Sequence, residues 1–182
     1  MDAASRRVPI RTSGDTPHSN PEPAGTHPLR VLGVPLVRTP AWVLELPDGM
    51  IGRAVGPPAD SPYSAMWLAR GWLHDTAPAT VVVTTRPRKG LTPRAEVRRL
   101  SGTLAAGASD GDEIEVPGAR GARRVDGLVD LGEGVSEDGI DRLALVVAAG
   151  RAELVALAIR TRPADEAAAE VEAAIRSLTL PR

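Results

Sequence analysis

The strongest constraint on the fold is the segment IDRLALVVAAGRAELVALAIRT at residues 140–161. Two apolar runs flank Ala149 and Gly150, which have the chemistry of a tight turn between antiparallel strands. Alternate residues of the second run would face opposite sides of a strand, and both sets are apolar: Val155, Leu157 and Ile159 in one, Leu154, Ala156 and Ala158 in the other. We therefore predict a hairpin whose second strand lies inside a sheet that is covered on both faces.

Other strand signals precede this hairpin. Runs of β-branched and large apolar residues predict strands near residues 30–38, 41–46 and 50–55. MWLARGWLH and ATVVVTTRP, joined by the turn residues DTAP at 75–78, predict two more strands. DEIEVPG and ARRVDGLVDLG predict a further two, directly before the hairpin.

Two segments have the periodicity of amphipathic helices. Thr92 and Pro93 have the residue types of a helix cap and first turn, and the pattern continues to Gly107. Its buried face would be Val97, Leu100 and Leu104. ADEAAAEVEAAIRSLTL at 164–180 predicts a second helix, with the buried stripe Ala168, Val171, Ile175 and Leu178. This order of strands and helices predicts an α+β fold with an antiparallel sheet.

The order of elements, the passage VVVTTRPRKGLTPRAEV from a strand into a proline-started helix, the late hairpin and the ending AAIRSLTL resemble the PsbP, LpqN and Mog superfamily of α/β/α sandwiches. The resemblance covers about residues 29–180 and is to an actinobacterial type of member. It implies a sheet flanked by helices and a domain that binds other proteins. Members include photosystem subunits, a Ran-binding protein, actinobacterial lipoproteins and DcrB-like secretion chaperones. The superfamily shares no catalytic residues, so none is transferred to this sequence.

Composition limits the remaining possibilities. Residues 1–28 combine Pro, Ser, Thr, Gly and charges without periodicity, which predicts a disordered tail, and residues 29–182 are long enough for a single domain. The absence of cysteine excludes disulfides, thiolate catalysis and cysteine metal sites. Because no apolar run is long enough for a secretory signal or a membrane span, we predict a cytoplasmic location.

Two motifs that carry chemistry in other proteins occur here in the wrong context. GASDG at 107–111 matches a nucleophile elbow around Ser109, but it follows a predicted helix and precedes a strand, the reverse of the required order. The acidic segment DGLVDLGEGVSEDGID at 126–141 has no EF-hand spacing, and a solvated loop is the better interpretation. We predict no catalytic residue, no metal site and no cofactor, and therefore no enzyme.

RPRKG at 86–90 and the helix after it form a basic cluster with six positive charges in residues 86–99. Its candidate partner contacts are Arg86, Arg88, Lys89, Arg94 and Arg98. An acidic protein or simple solvation would account for them. Nucleic acid is disfavoured, because the cluster contains no aromatic residue that could stack on a base.

The stretch SPYSAMWLARGWLHD at 61–75 holds the sequence's only tyrosine and two of its three tryptophans. As a strand it would place Trp67 on one face and Trp72 on the other, beside Arg70 and His74. As a helix it would bring Tyr63, Trp67, Arg70 and His74 to one side. The turn residues around it favour the strand, with Trp67 in the core and Trp72 partly exposed. Arg70, Trp72 and His74 then become candidate contacts for a partner.

Three functions are compatible with these observations. The first is a non-enzymatic protein-binding domain that serves as an adaptor, a chaperone or a factor in assembly or secretion. The alternative is a small-molecule-binding or enzymatic domain with a pocket near residues 63–74, where Tyr63, Trp67, Trp72 and His74 would supply an apolar lining with polar groups. The third is nucleic-acid binding through the basic cluster.

Overall fold

The computed structural model of the chain describes residues 27–31, 34–73, 77–129, 141–162 and 167–182. Within these ranges the strands and helices are β1 (His27–Val31), β2 (Val34–Arg38), β3 (Val43–Glu45), β4 (Ile51–Val55), β5 (Ala65–Leu73), β6 (Ala77–Pro87), α1 (Pro93–Leu100), β7 (Asp112–Ile114), β8 (Ala122–Leu128), β9 (Arg142–Ala149), β10 (Glu153–Thr161) and α2 (Ala167–Ser177).

Seven of the described strands form one antiparallel sheet in the order β4-β5-β6-β10-β9-β8-β7. The other three form a small antiparallel sheet in the order β1-β2-β3. The predicted hairpin is present, since Leu154 of β10 pairs with Ala149 of β9. β10 lies between β6 and β9, which explains why neither of its faces is polar. The predicted α+β class with an antiparallel sheet is confirmed.

Each face of the large sheet carries one helix. On one side, which we call the α2 face, α2 and the β3 region cover the main core, whose members include Leu44, Trp67, Val81, Val146, Leu157, Ile175 and Leu178. On the other side, the α1 face, Val97 of α1 packs into a smaller cluster with Leu145, Val147, Ala149, Leu154 and Ala156. Burying a large apolar side chain contributes about 1.5–3 kcal/mol, so these two clusters hold the helices against the sheet.

The first helix begins as predicted and ends earlier. The Thr92 hydroxyl accepts a hydrogen bond from the Ala95 amide, and Pro93 occupies the first turn. The prediction that the helix continues to Gly107 is wrong, because α1 stops at Leu100 and one 3₁₀ turn follows. At this end the Ser101 hydroxyl donates to the Ser109 carbonyl and accepts from the Ser109 amide, which stabilises the chain where it leaves the helix.

Two smaller predictions also need correction. The single strand predicted at 30–38 is two strands, β1 and β2, which pair antiparallel around Val31 and Val34. In α2, Ala168 is exposed and Ala167 is buried instead, so the stripe begins one residue earlier than predicted. A helix of alanines offers no difference in side-chain type from which its rotation could be inferred.

Candidate protein-binding face

Residues 61–75 contain a strand, which places the two tryptophans on opposite faces of the sheet. Trp67 is 4% exposed on the α2 face and meets Trp42 edge to face, with ring centroids 6.0 Å apart. Trp72 is 55% exposed on the α1 face. The predicted strand, the core position of Trp67 and the partial exposure of Trp72 are all confirmed. Trp67 and Trp72 therefore cannot line one pocket on a single face.

Trp72 belongs to a part of the α1 face that no described element covers. Helix α1 lies over β8 and β9, so the outer sides of β4, β5 and the adjoining half of β6 stay open within the described part of the chain. The strand register defines this surface, because directly paired residues share a face. We call it the open face, and it consists of Ile51, Arg53, Leu68, Arg70, Trp72 and Val82.

The open face has an apolar centre. Ile51 is 84% exposed and pairs directly with Arg70, two residues before Trp72. Leu68 of β5 and Val82 of β6 pair with each other on the same face and are half-buried. Monomeric proteins seldom expose adjacent large apolar side chains without a partner for them.

Positive charge on this surface is not neutralised by the residues that the structure describes. Arg53 and Arg70 are exposed, and neither forms an ion pair with any residue that the structure describes. Strands β4, β5 and β6 contain no aspartate or glutamate. Arg160 of β10 lies on the same side of the sheet, in line with Ile51 and Arg70 across the strands, and is already paired with Asp141 at 2.5 Å. Within the described part of the chain, the open face therefore presents two unpaired guanidinium groups next to its apolar side chains.

The predicted basic cluster differs from the open face because most of its arginines form ion pairs with acidic side chains. Glu96 is 2% exposed and accepts hydrogen bonds from Arg86 at 2.9 Å and from Arg99 at 2.7 Å. Arg99 also donates to the Tyr63 hydroxyl and lies over its ring. Burial alone would raise the pKa of Glu96, but the bonds from Arg99 and Arg86 hold that pKa below its usual value. Arg86 and Tyr63 thus help to fix α1 on the sheet.

The helical arginines are paired in the same way. Asp110 accepts from Arg94 at 2.5 Å and lies 3.6 Å from Arg98, and the hydrogen bond from Arg94 lowers the pKa of Asp110. Arg88 donates to the carbonyl of Leu91. Lys89 is exposed and has a left-handed backbone, with φ 36°, at the tip of the loop. The structure thus joins Arg70 and Trp72 in one surface and leaves the 86–99 cluster as a separate, largely compensated one.

Several other sequence predictions fall outside the described residues. His74 does, as do residues 1–26 of the predicted tail and Asp130, Glu133, Glu137 and Asp138 of the acidic segment. Ser109 is described, and its backbone bonds to Ser101, in a turn between the 3₁₀ segment and β7. Among the described residues, no group of three His, Cys, Asp or Glu side chains could hold a metal ion.

A cleft of about 360 Å³ lies between α2 and the strands β8, β9 and β10. Its polar wall is Arg124, which donates to Asp126 at 2.7 Å and to Glu172 at 3.0 Å. The hydrogen bond from Arg124 keeps the pKa of Glu172 below its usual value. Two carboxylates therefore already bind this guanidinium, so Arg124 is not free to bind a ligand in the cleft. Sequence reasoning did not indicate it, since Glu172 and Arg124 are far apart in the chain.

Ile51 and Arg53 are the exposed residues of the open face that sequence reasoning missed. The strand at 50–55 was predicted, but its position at the sheet edge and its neighbour β5 depend on long-range pairing. The alternation of Ile51, Arg53 and Val55 with the small residues Gly52 and Ala54 was the available signal.

Comparisons with known proteins identify no family. No protein-family model matches the sequence, and no curated protein matches it. The chain is similar to a crystal structure from Bacteroides thetaiotaomicron VPI-5482, with a TM-score of 0.46 and 9% sequence identity. That similarity covers 78% of this chain and 45% of the Bacteroides chain. No helix among the described residues is long and apolar enough to cross a membrane.

Proposed function

We propose that this protein is a non-enzymatic binding domain that docks another protein on its open face. The observation that carries the proposal is the exposed pair Ile51 and Trp72, placed beside the guanidinium of Arg70, which has no ion-pair partner among the described residues. Tryptophan and arginine are the residues that most often dominate the energy of protein interfaces. A partner that covers the open face would bury the apolar centre and pair both arginines.

The charges indicate the chemistry of the partner. Arg53 and Arg70 are diagonal neighbours across β4 and β5, and strands β4, β5 and β6 supply no carboxylate to either. A complementary surface would therefore combine apolar side chains with Asp or Glu. We propose an acidic, partly apolar protein surface as the occupant of the open face.

The resemblance to the PsbP, LpqN and Mog superfamily leads to the same proposal. Antiparallel strands with α1 on one face and α2 on the other are compatible with an α/β/α sandwich of that kind. Roles as an adaptor, chaperone or assembly factor, and a cytoplasmic location, stay predictions. The alternatives have less support, because the 86–99 cluster is paired with Glu96 and Asp110, while Trp67 and Trp72 face apart.

Co-purification from the source cells with matched variants tests the proposal. Trp72→Ala and Arg70→Glu should each reduce the recovery of a specific partner at least tenfold. Leu128→Ala removes an exposed apolar side chain on the opposite face and should leave recovery unchanged. Equal recovery with Trp72→Ala and Leu128→Ala would contradict the proposal. Binding by nucleic acid instead of protein would contradict it as well.

A further inference from the structure

Strand β4 is an open edge of the large sheet. It pairs with β5 on one side, and no described strand pairs with its other side. The opposite edge, β7, is only three residues long and carries the exposed acids Asp112 and Glu113. Short, charged edges are protected against further pairing, whereas β4 is five residues long and its amide and carbonyl groups that do not bond to β5 face away from the sheet.

The side chains of β4 would let a new strand approach. Ile51, Arg53 and Val55 point to the α1 face, and Gly52 and Ala54 point to the α2 face. Position 52 cannot carry a larger side chain, because a Cβ there would lie 2.0 Å from the Trp67 ring. Strand β4 therefore carries the larger side chains of Ile51, Arg53 and Val55 on one face, and only the hydrogen of Gly52 and the methyl group of Ala54 on the other.

Arg53 discriminates between possible occupants of the edge. If two copies paired antiparallel through all five residues of β4, Arg53 would lie opposite Arg53 of the second copy. Like charges that face each other across strands are destabilising. An acidic residue at that place would instead pair with a guanidinium that has no other partner among the described residues.

We propose that β4 accepts an extended acidic segment of the partner protein as an additional antiparallel strand. The segment would place Asp or Glu opposite Arg53, apolar side chains opposite Ile51 and Val55, and small or polar residues at the two positions between them. Backbone hydrogen bonds would provide affinity, and alternate side chains would provide specificity. This inference rests on the proposed function, since the added strand extends the open face toward the rest of the partner.

A synthetic peptide provides the probe: acetyl-Thr-Val-Thr-Glu-Thr-Val-Thr-amide, titrated into the ¹⁵N-labelled full chain. The amide resonances of Ile51–Val55 should shift on binding. Replacing the peptide glutamate with lysine should weaken binding at least tenfold. Arg53→Glu should reverse that preference, so that the lysine peptide binds better. Thermal melting of Arg53→Glu checks that the exposed substitution leaves the fold intact.

N-methylation distinguishes strand addition from side-chain docking. Peptide amides point alternately toward and away from the neighbouring strand. Methylation of one alternate set should therefore abolish binding, and methylation of the other set should leave it within about threefold. Equal effects of the two sets, no shift in β4 at millimolar peptide, or self-association of the chain through β4 would each overturn the inference. If the peptide fails while Trp72→Ala still loses the partner, the proposed function stands and the edge inference alone falls.

Discussion

The ring of Trp67 fills the space that a side chain at position 52 would need. An ideal Cβ built on Gly52 lies 2.0 Å from Cζ2 and 2.2 Å from Cη2 of that ring. Gly52 thus lets the edge strand β4 lie flat against the core tryptophan. Because side chains alternate along a strand, Ile51 and Arg53, which flank Gly52, lie on the open face.

Gly52→Ala should destabilise the fold, because the ring and the strand must move apart to accept the methyl group. Overpacking of this kind costs about 1–3 kcal/mol. Gly56→Ala is the matched control, since nothing lies within 4 Å of a Cβ at that position. Urea denaturation measures the free energy of unfolding of both variants. A Gly52→Ala variant as stable as Gly56→Ala would show that position 52 does not lie against the Trp67 ring.

Replacing each of the two tryptophans of β5 with alanine should change the free energy of unfolding by very different amounts. Trp67→Ala removes a buried ring and should lower the free energy of unfolding by about 3–5 kcal/mol. Trp72→Ala removes an exposed ring and should cost less than about 1 kcal/mol. Chemical denaturation monitored by circular dichroism compares them. A large loss of stability in Trp72→Ala would mean that Trp72 belongs to the core.

Glu96 should make stability depend on pH. Its pKa is lower in the folded chain than its unfolded value, so its ionised form stabilises the fold at neutral pH. That contribution is complete above the unfolded pKa of about 4.3 and is lost as the pH falls through the lower, folded pKa. Glu96→Gln should therefore cost roughly 2 kcal/mol near pH 7. Its deficit relative to the unmodified chain should shrink as the pH falls below the unfolded pKa of about 4.3.

Glu113→Gln is the control for this measurement. The Glu113 side chain is largely exposed and lies 3.6 Å from Arg123, a geometry typical of surface pairs that contribute little. Urea midpoints collected from pH 3 to pH 7 should show no comparable convergence for Glu113→Gln. A pH-independent deficit for Glu96→Gln would mean that packing, rather than charge, is what the substitution removes.

The sequence predicted what depends on local pattern. The hairpin around Gly150 and the strand character of β5 followed from alternation and turn chemistry, as did the cap at Thr92. The end of α1 at Leu100 was not predicted, because the apolar pattern continues past it, and the Ser101–Ser109 hydrogen bond beside it joins residues eight positions apart.

The candidate surface was only half predictable for a similar reason. Trp72 and Arg70 were identified from the two-residue period of β5, which needs no knowledge of neighbouring strands. Ile51 joined them only because β4 pairs with β5 in the register that puts it opposite Arg70. The ion pair between Arg94 and Asp110 likewise joins residues 16 positions apart, so the local composition around Arg94 does not predict it.

Site-specific photocrosslinking in the source cells tests the central claim most directly. A benzophenone amino acid placed at Ile51 or at Trp72 should crosslink a discrete protein, and the adduct should be lost when Arg70→Glu is added. The same group at Leu128, which is 43% exposed on the opposite face, should give no such adduct. Adducts of equal yield from all three positions, or none from Ile51 and Trp72, would contradict the assignment of the open face as the docking surface.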